Sequence, residues 1–343
     1  MNKKNNKKRP VPLAPPPSMR SRKRARWVTT RFHKLTRERD LAMARGDDRA
    51  AQETQQQIEE MGGRQEYQRA SQLSTSFHST SKWVLRVLAR LGWIHGIPSN
   101  DNDNNNDDNE TQQQQQERRS SRRRDLRLLE VGAINTELLD AAKETRQVTR
   151  TVQSQGGTTT TTIVEDRKRN RLSVRAIDLH SMHDGIETAD FLTLPPCQPK
   201  MDVIVCSMVL NCVTTPQQRG VMLARLYHQL RPQGLCFLTL PKLCLTQSPF
   251  LTKARFLQML SGGVGFHVQE TKESPKVCFF ILQRPTHDNQ KDLDPQWTQQ
   301  TTLFRGKKFR NPFAVVLQQD QVNGKAFGAT KCPANDKASG PPA

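Results

Sequence analysis

The sequence predicts a doubly wound α/β fold with a mostly parallel, seven-stranded sheet. Short apolar runs alternate with segments whose apolar residues recur at helical spacing, a pattern typical of parallel βαβ units. The run at 201–209 is apolar nearly throughout, as expected of a strand that is covered on both faces. Two closing apolar runs, 266–271 and 277–283, flank Ser274 and Pro275, which predicts an antiparallel hairpin at the sheet edge.

The remaining elements follow from the same patterns, taken in chain order. A Thr-rich insertion at about 149–170 is expected to be an extruded loop, which costs little entropy. The periodicity predicts strands at 127–131, 174–179 and 235–240, and helices at 134–142, 216–230 and 250–260.

Composition limits how much of the chain can form a core. Of the 343 residues 34% are hydrophobic and the mean hydropathy is −0.75, so long segments cannot offset the entropy of ordering. The net charge is +20, and residues 1–39 carry fourteen Lys or Arg against a single acid, Glu38. Such a cluster favours nuclear import or RNA contact through counterion release. The alternative is a solvated tail that only aids solubility.

A low-complexity tract divides the chain, because the Asn, Asp, Gln and Glu residues at 99–117 cannot form a packed core. The expected organisation is a helical N-terminal extension with a disordered basic tail, followed by the α/β domain. In residue numbers we expect a basic, largely disordered or helical arm (1–60), a helical pre-domain (61–98), a linker (99–123), the main domain (124–285) and a partly disordered C-terminal extension (286–343).

The sequence favours an intracellular protein without a membrane segment. The basic N-terminus has no apolar stretch behind it, so it does not resemble a secretory signal. The run at 203–213 is too short to span a bilayer. The seven cysteines form no C-x-x-C pair and fall mostly in apolar runs, which favours a reducing compartment.

Candidate binding residues lie at predicted strand ends, where open parallel sheets bind their ligands. Gly132 follows the first strand, where a glycine lets the backbone turn tightly and approach a ligand. Asp178 ends the second strand and can accept hydrogen bonds from both hydroxyls of a ribose. Each residue alone is weak evidence for a ligand site. Their occurrence in this order, at the ends of two successive strands, is stronger evidence.

Five segments together resemble the motifs of class I S-adenosylmethionine methyltransferases: Glu130-Val131-Gly132, Ala176–Leu179, Ala189–Leu192, Asp202–Leu210 and Leu230–Leu235. A narrower resemblance, to the fungal 25S ribosomal RNA adenine-N1-methyltransferases, is carried by Ser79–Val84, Gly132–Asn135, Ile177–Ser181, Ser207–Val213 and Pro216–Gly220.

The resemblance implies a Rossmann-like domain that binds S-adenosyl-L-methionine and methylates N1 of an adenine in large-subunit ribosomal RNA. It assigns Gly132 and Asp178 to the cofactor site, with Glu130 and Asp190 as further candidates. It also implies a nuclear and nucleolar protein, acting as a monomer on ribosomal RNA in the pre-ribosome. Ile134 and Thr136 stand where generic class I enzymes have further glycines.

Two other functions stay open at this point. One is a cofactor-binding sensor that regulates a protein partner, against which the charge of +20 argues. The other is a methyltransferase that acts on protein, because the cofactor half of such folds is shared among substrates.

Methylation of adenine N1 needs no strong base, so the important residues should orient the reactants. Ser207 and Asn211, beyond the 201–209 strand, are candidates for contact with the base, and the alternative is that they cap the following helix. The basic segments 118–124 and 305–310 could hold the RNA backbone.

The remaining reactive side chains are not expected to take part in catalysis or to bind a metal ion. Cys197 precedes the 201–209 strand, so it should lie at the amino edge of the sheet, away from the ligand. His180 and His183 have no third ligand nearby at metal-binding spacing, and no metal site is expected. Asp202, at the start of its strand, is expected to be structural.

Overall fold

The computed structural model describes residues 21–75, 80–94, 125–153, 160–168, 170–181, 183–287 and 292–327. The expected linker at 99–123 and the first twenty residues lie outside this described part. The chain forms two compact units, Met1–His78 and Ser79–Ala343.

The first unit contains three helices, α1 (Arg22–Ala44), α2 (Asp48–Glu60) and α3 (Gly63–Thr75). Along α1 the buried residues Ala25, Val28, Phe32 and Leu35 follow spacings of three and four, so they form one stripe. The Phe32 ring stacks on Tyr67 of α3, with ring centroids 4.4 Å apart. The stripe therefore forms a small core with the two following helices.

This unit corrects one expected boundary. Within the arm expected at 1–60, α1 begins at Arg22 and buries Ala25 and Val28, so the described part of the arm is helical and packed. The boundary expected at residue 60 is wrong, because α3 belongs to the same unit as α1 and α2. The charge of the segment obscured its apolar stripe, since the exposed Arg24 and Arg26 lie on either side of the buried Ala25.

The second unit is built on a seven-stranded sheet. Its strands are β1 (Leu126–Val131), β4 (Leu172–Asp178), β5 (Glu187–Thr188), β6 (Met201–Ser207), β7 (Leu230–Pro241), β8 (His267–Glu273) and β9 (Val277–Gln283). Its helices are α4 (Thr80–Arg90), α5 (Glu137–Lys143), α6 (Pro216–Gln229), α7 (Leu243–Thr246), α8 (Lys253–Gln258) and α9 (Gln319–Val322). A π-helical turn (Met259–Val264) continues α8, and short 3-10 turns lie at Pro295–Trp297 and Lys325–Phe327.

The strand order β5-β4-β1-β6-β7-β9-β8 confirms the doubly wound α/β fold. The first five strands in this order are parallel, and β9 is antiparallel to both of its neighbours, as the closing hairpin predicted. Successive residues of a strand face opposite sides. Leu128, Val203 and Phe237 accordingly pack with α4 and α5, whereas Leu129 and Ile204 pack with α6 and α8.

Helix α4 is part of this second unit, so the pre-domain expected at 61–98 does not exist as one piece. Its Val84, Val87 and Leu88 are buried against the sheet. The Trp83 ring meets Phe237 of β7 edge-on, with centroids 5.2 Å apart. Val84, Val87 and Leu88 follow helical spacing in the sequence, but that spacing does not identify the surface against which they pack.

The insertion expected as a loop is a β-hairpin. Strands β2 (Thr145–Gln153) and β3 (Thr160–Lys168) pair antiparallel in a sheet of their own. The threonines and valines of this segment favour extended backbone, a preference that its polar composition obscured. Because the hairpin leaves the main sheet between α5 and β4, the long insertion still allows β4 to pair with β1.

The domain does not end near residue 285. In the segment 292–327 the buried residues Trp297, Phe313, Val315 and Leu317 join the main core. A Cβ on Gly220 of α6 would lie 1.9 Å from the carbonyl oxygen of Val316, which shows how closely this segment approaches α6. Within the described part of the chain, no helix is long and apolar enough to cross a bilayer.

The three-helix unit yields a stability prediction. Val28→Asp should bury an unpaired carboxylate in the α1 stripe and lower the free energy of opening of residues 22–75 by about 2–3 kcal/mol. Hydrogen exchange followed by mass spectrometry should then show faster exchange in α1 to α3. The matched control is Thr30→Asp, an exposed position on the same helix, which should leave exchange unchanged. Equal protection in both variants would contradict the packing described for α1.

Candidate active site at the carboxyl edge of the sheet

Three predicted site residues meet at one edge of the sheet. In the parallel pairing, Val131 of β1 lies level with Ile177 of β4 and with Cys206 of β6. The next residues along these strands are Gly132, Asp178 and Ser207, so all three stand at the carboxyl edge. This is the edge at which open parallel sheets bind ligands.

Position 132 requires a glycine because of its backbone conformation and because a neighbouring side chain packs closely against it. Its φ of +71° lies in the left-handed region that side chains disfavour. Its N–H donates to the carbonyl of Ile177 at 2.8 Å, and a Cβ at this position would lie 2.3 Å from Cγ2 of Val209. We expected the missing side chain to leave room for a ligand, but Val209, in the loop after β6, fills that direction. The glycine therefore lets the loops after β1 and β6 approach closely.

Glu130 of β1 is a buried acid with a strongly raised pKa. The side chain is 8% exposed, and its Oε2 has no hydrogen-bond partner among the described residues. Burial, assisted by the nearby charge of Glu137, raises the pKa of this carboxyl to about 8. A buried carboxyl with an unused oxygen is costly unless a ligand completes it, so Glu130 is a candidate for ligand binding.

The acids at 178 and 190 both shape turns. Asp178 is 9% exposed, and its Oδ1 accepts the N–H of His180 at 2.9 Å. Asp190, just beyond β5, accepts the N–H of Leu192 through Oδ1 at 2.9 Å. Because β5 pairs with the end of β4, these acids extend the row begun by Glu130 along the same edge.

Ser207 belongs to a cluster of three hydroxyls. Its Oγ lies 2.8 Å from Oγ1 of Thr80, at the start of α4, and 3.1 Å from Oγ1 of Thr239 in β7. The next residue, Met208, has a φ of +60°, and its N–H donates to the carbonyl of Thr239 at 3.2 Å. The cluster thus holds the chain where it leaves β6 in an unusual conformation.

Sequence reasoning missed Thr80 and Thr239. A signal for Thr239 existed, because a fully buried threonine interrupts the apolar run of β7 and needs a hydrogen-bond partner. Nothing in the sequence tied Thr80 to a residue 127 positions later.

Asn211 has an unused acceptor. Its amide Nδ2 lies 3.3 Å from Sγ of Cys212, whereas its buried Oδ1 has no hydrogen-bond partner within the described residues. The alternative role expected for Ser207 and Asn211, capping the following helix, is wrong. Thr215 caps α6 in a capping box with Gln218, so both candidates are outside the cap.

Cys197 and Asp202 lie at the amino edge of the sheet and have structural roles. Cys197 is buried before β6, and its N–H donates to Oε1 of Gln229 at the end of α6, as expected for the amino edge. Asp202 is fully buried, pairs with Arg231, and accepts the N–H of Arg127 at 2.8 Å, which confirms its structural role. Across the described segments, no three His, Cys, Asp or Glu side chains are grouped to hold a metal ion.

Comparison with known proteins places these motifs in one family. Residues 52–155 and 156–315 match the family described as 25S rRNA (adenine(2142)-N(1))-methyltransferase, Bmt2. The chain is 36% identical over 114 residues to the 25S rRNA (adenine(2142)-N(1))-methyltransferase of Saccharomyces cerevisiae, covering 32% of this chain and 33% of that protein. It is 32% identical over 113 residues to the 25S rRNA adenine-N(1) methyltransferase of Schizosaccharomyces pombe, covering 32% and 41%. The aligned segments thus span less than half the length of either relative.

Solved structures with a similar arrangement include two methyltransferases. The N-methyltransferase NodS from Bradyrhizobium japonicum, in complex with S-adenosyl-L-homocysteine, is 12% identical with a TM-score of 0.30, covering 54% of this chain and 93% of that one. A SAM-dependent methyltransferase from Methanosarcina mazei is 14% identical with a TM-score of 0.32, covering 48% and 94%.

The contact between Gly132 and Val209 can be tested by a double-mutant cycle. Gly132→Ala should lower the free energy of unfolding by about 2–4 kcal/mol, from backbone strain and from collision with Val209. In a Val209→Ala background the same change should cost only the strain, about 1–2 kcal/mol. Gly262→Ala, where the added Cβ meets nothing within 4 Å, is the control for urea denaturation. Equal costs in both backgrounds would refute the steric contact.

Proposed function

The chain belongs to the family of 25S rRNA (adenine-N1) methyltransferases, and from this premise we propose that it methylates N1 of an adenine in large-subunit ribosomal RNA. The observation that carries the proposal is the buried Glu130 of β1, two residues before Gly132, whose Oε2 has no hydrogen-bond partner among the described residues. A site of this kind suits a cationic nucleoside ligand, and we infer that the ligand is S-adenosyl-L-methionine.

The residues at this edge fit that cofactor. Glu130 can take up the positively charged methionine portion, because a carboxylate is stabilised by an adjacent cation. Asp178 would hold the ribose hydroxyls, and Asp190 would accept a hydrogen bond from the amino group of the adenine ring. Gly132 acts indirectly, by letting the loop after β1 lie close to Val209. Bound S-adenosyl-L-methionine supplies an electrophilic methyl group.

The protein's own task is to orient the target base. Neutral adenine carries a lone pair on N1, so no residue has to remove a proton from that atom before attack. The Oδ1 of Asn211, which has no hydrogen-bond partner among the described residues, can accept a hydrogen bond from the 6-amino group of adenine, where guanine carries an oxygen. Ser207, already held by two hydroxyls, is better suited to position this loop. Orientation and exclusion of water then supply most of the rate enhancement.

The proposal extends to where and with what the protein works. The basic residues clustered in positions 1–39 support a role in the nucleus and nucleolus, where pre-ribosomes are assembled. The net charge of +20 supports a polyanionic partner, and ribosomal RNA is the one that the proposed reaction requires. We propose that a monomer carries the complete site, since every candidate residue lies in one unit.

The pKa of Glu130 predicts how cofactor affinity changes with pH. The carboxyl titrates at about 8 in the cofactor-free protein, and a cationic ligand stabilises its ionised form. Binding below pH 8 must therefore release a proton, and affinity should rise up to about tenfold per pH unit until it levels off near pH 8. Calorimetry in buffers of different ionisation enthalpy measures the released proton. Glu130→Gln cannot ionise and should lose this component, and an identical pH dependence in both proteins would contradict the assignment.

The reaction itself is tested with purified protein, large-subunit ribosomal RNA and labelled cofactor, followed by nucleoside analysis. The expected product is 1-methyladenosine. Asn211→Leu should lower kcat about 10- to 100-fold by removing one hydrogen bond to the base, with the dissociation constant of the cofactor unchanged.

Matched variants separate the steps of this experiment. Asn211→Asp keeps an oxygen acceptor and should retain more activity than Asn211→Leu. Asp178→Ala should instead weaken cofactor binding, with Asp178→Asn less affected. Transfer of label to protein alone would replace the RNA assignment by a protein methyltransferase. Cofactor binding without any transfer would favour a sensor.

A further inference from the structure

A basic loop is hydrogen-bonded to the segment that follows the carboxyl end of β7. The loop spans residues 303–311 and is attached beyond the carboxyl end of β7, the strand next to β6. The N–H groups of Leu303 and Phe304 donate to the carbonyl of Pro249 at 2.7 and 3.1 Å, and that of Asn311 donates to Gln247 at 3.0 Å. Both ends of the loop are therefore fixed to the domain that carries the candidate site.

The charges of this loop are not neutralised by the protein. Its four cations, Arg305, Lys307, Lys308 and Arg310, are exposed and form no ion pair with a carboxylate of the described residues. Two other lysines of the same unit are paired with an acid. Lys242 and Lys253 each lie 2.6 Å from an oxygen of Glu273. The loop thus presents a concentrated positive charge that is free for a polyanion.

An aromatic side chain stands among these cations. The Phe304 ring stacks on Phe309, with centroids 4.9 Å apart and an interplanar angle of 14°. Phe304 nevertheless remains 40% exposed. Gly306, with a φ of +119°, provides the sharp turn that lets the two rings meet. A phenylalanine kept at the surface, on a fixed partner, offers a flat face for stacking.

We propose that the loop 303–311 docks a single-stranded segment of the RNA substrate beside the site, with an unpaired base stacked on Phe304 and phosphates bound by the four cations. This inference rests on the proposed function, since it assumes an RNA substrate. Cations interleaved with an exposed aromatic suit single-stranded nucleic acid, because every unpaired base has a face that stacks. An acidic protein segment would use the charge but not the ring.

The experiment measures binding of a fluorescent, unstructured oligouridine to the full chain by anisotropy, with a duplex of equal length as the second probe. Phe304→Ala should weaken oligouridine binding roughly 5- to 150-fold, the usual effect of losing one base–aromatic stack. Phe304→Leu keeps an apolar contact with Phe309 and should bind as weakly as the alanine variant, whereas Phe304→Tyr should bind normally. Duplex binding should change little in all three.

The cations are tested separately. Lys307→Gln combined with Lys308→Gln should reduce the dependence of log affinity on log salt concentration by about 1–2, as expected when two phosphate contacts are lost. Lys143→Gln is the matched control, an exposed lysine at the end of α5 that should leave binding and its salt dependence unchanged. Cofactor affinity should be the same in every variant.

The outcomes distinguish this inference from the proposed function. Unchanged oligouridine binding in Phe304→Ala and in the double glutamine variant overturns the docking loop, while methylation of RNA by the same proteins leaves the function intact. Unchanged oligouridine binding in Phe304→Leu, with equal loss of oligouridine and polyglutamate binding in the double glutamine variant, overturns the RNA assignment in favour of an acidic protein partner. If the wild type binds RNA through Phe304 but transfers no methyl group, the loop stands and the proposed reaction fails.

Discussion

Backbone hydrogen bonds hold β1 between β4 and β6, with Val131 level with both Ile177 and Cys206. The geometry of the site depends on this parallel pairing, because it places residues far apart in sequence at one edge. Gly132 then allows the loops after β1 and β6 to touch through Val209. A slip of one residue in either pairing would turn the side chains of β1 to the opposite face.

The hydroxyl cluster extends this arrangement to the helix that precedes the sheet. The hydroxyls of Ser207, Thr80 and Thr239 lie within hydrogen-bond distance along a row from the half-buried Thr80 to the fully buried Thr239, and together they connect β6, α4 and β7. A buried hydroxyl without such a partner is costly, so the three residues depend on one another. The left-handed Met208 follows directly, and the chain then turns toward Asn211. Helix α4 is thus a support of the site as well as a cover for the sheet.

The acids of the candidate site and the cations of the 303–311 loop differ in their exposure to solvent. Acids at the strand ends are buried or engaged in turns, and Glu130 is costly to ionise until a cation is near. The cations of the 303–311 loop are exposed, with no carboxylate of the described residues paired to them. In the proposed function, a small cationic cofactor and a polyanionic RNA are bound through surfaces of opposite sign.

The sequence by itself predicted the fold class and placed Gly132, Asp178 and Asn211 near strand ends, with Glu130 just before Gly132. These follow from apolar periodicity and from glycines and acids at strand ends, which are local features of the chain. Only the tertiary structure decided the role of Val209 against Gly132, the pairing of Thr80 with Ser207, and the return of residues 292–327 to the core. Each of these is a contact between residues distant in sequence, and local patterns do not encode which distant surface a side chain will meet. The segment of β2 and β3 is another example. Its polar composition indicated a loop, but pairing between the two strands makes it a β-hairpin.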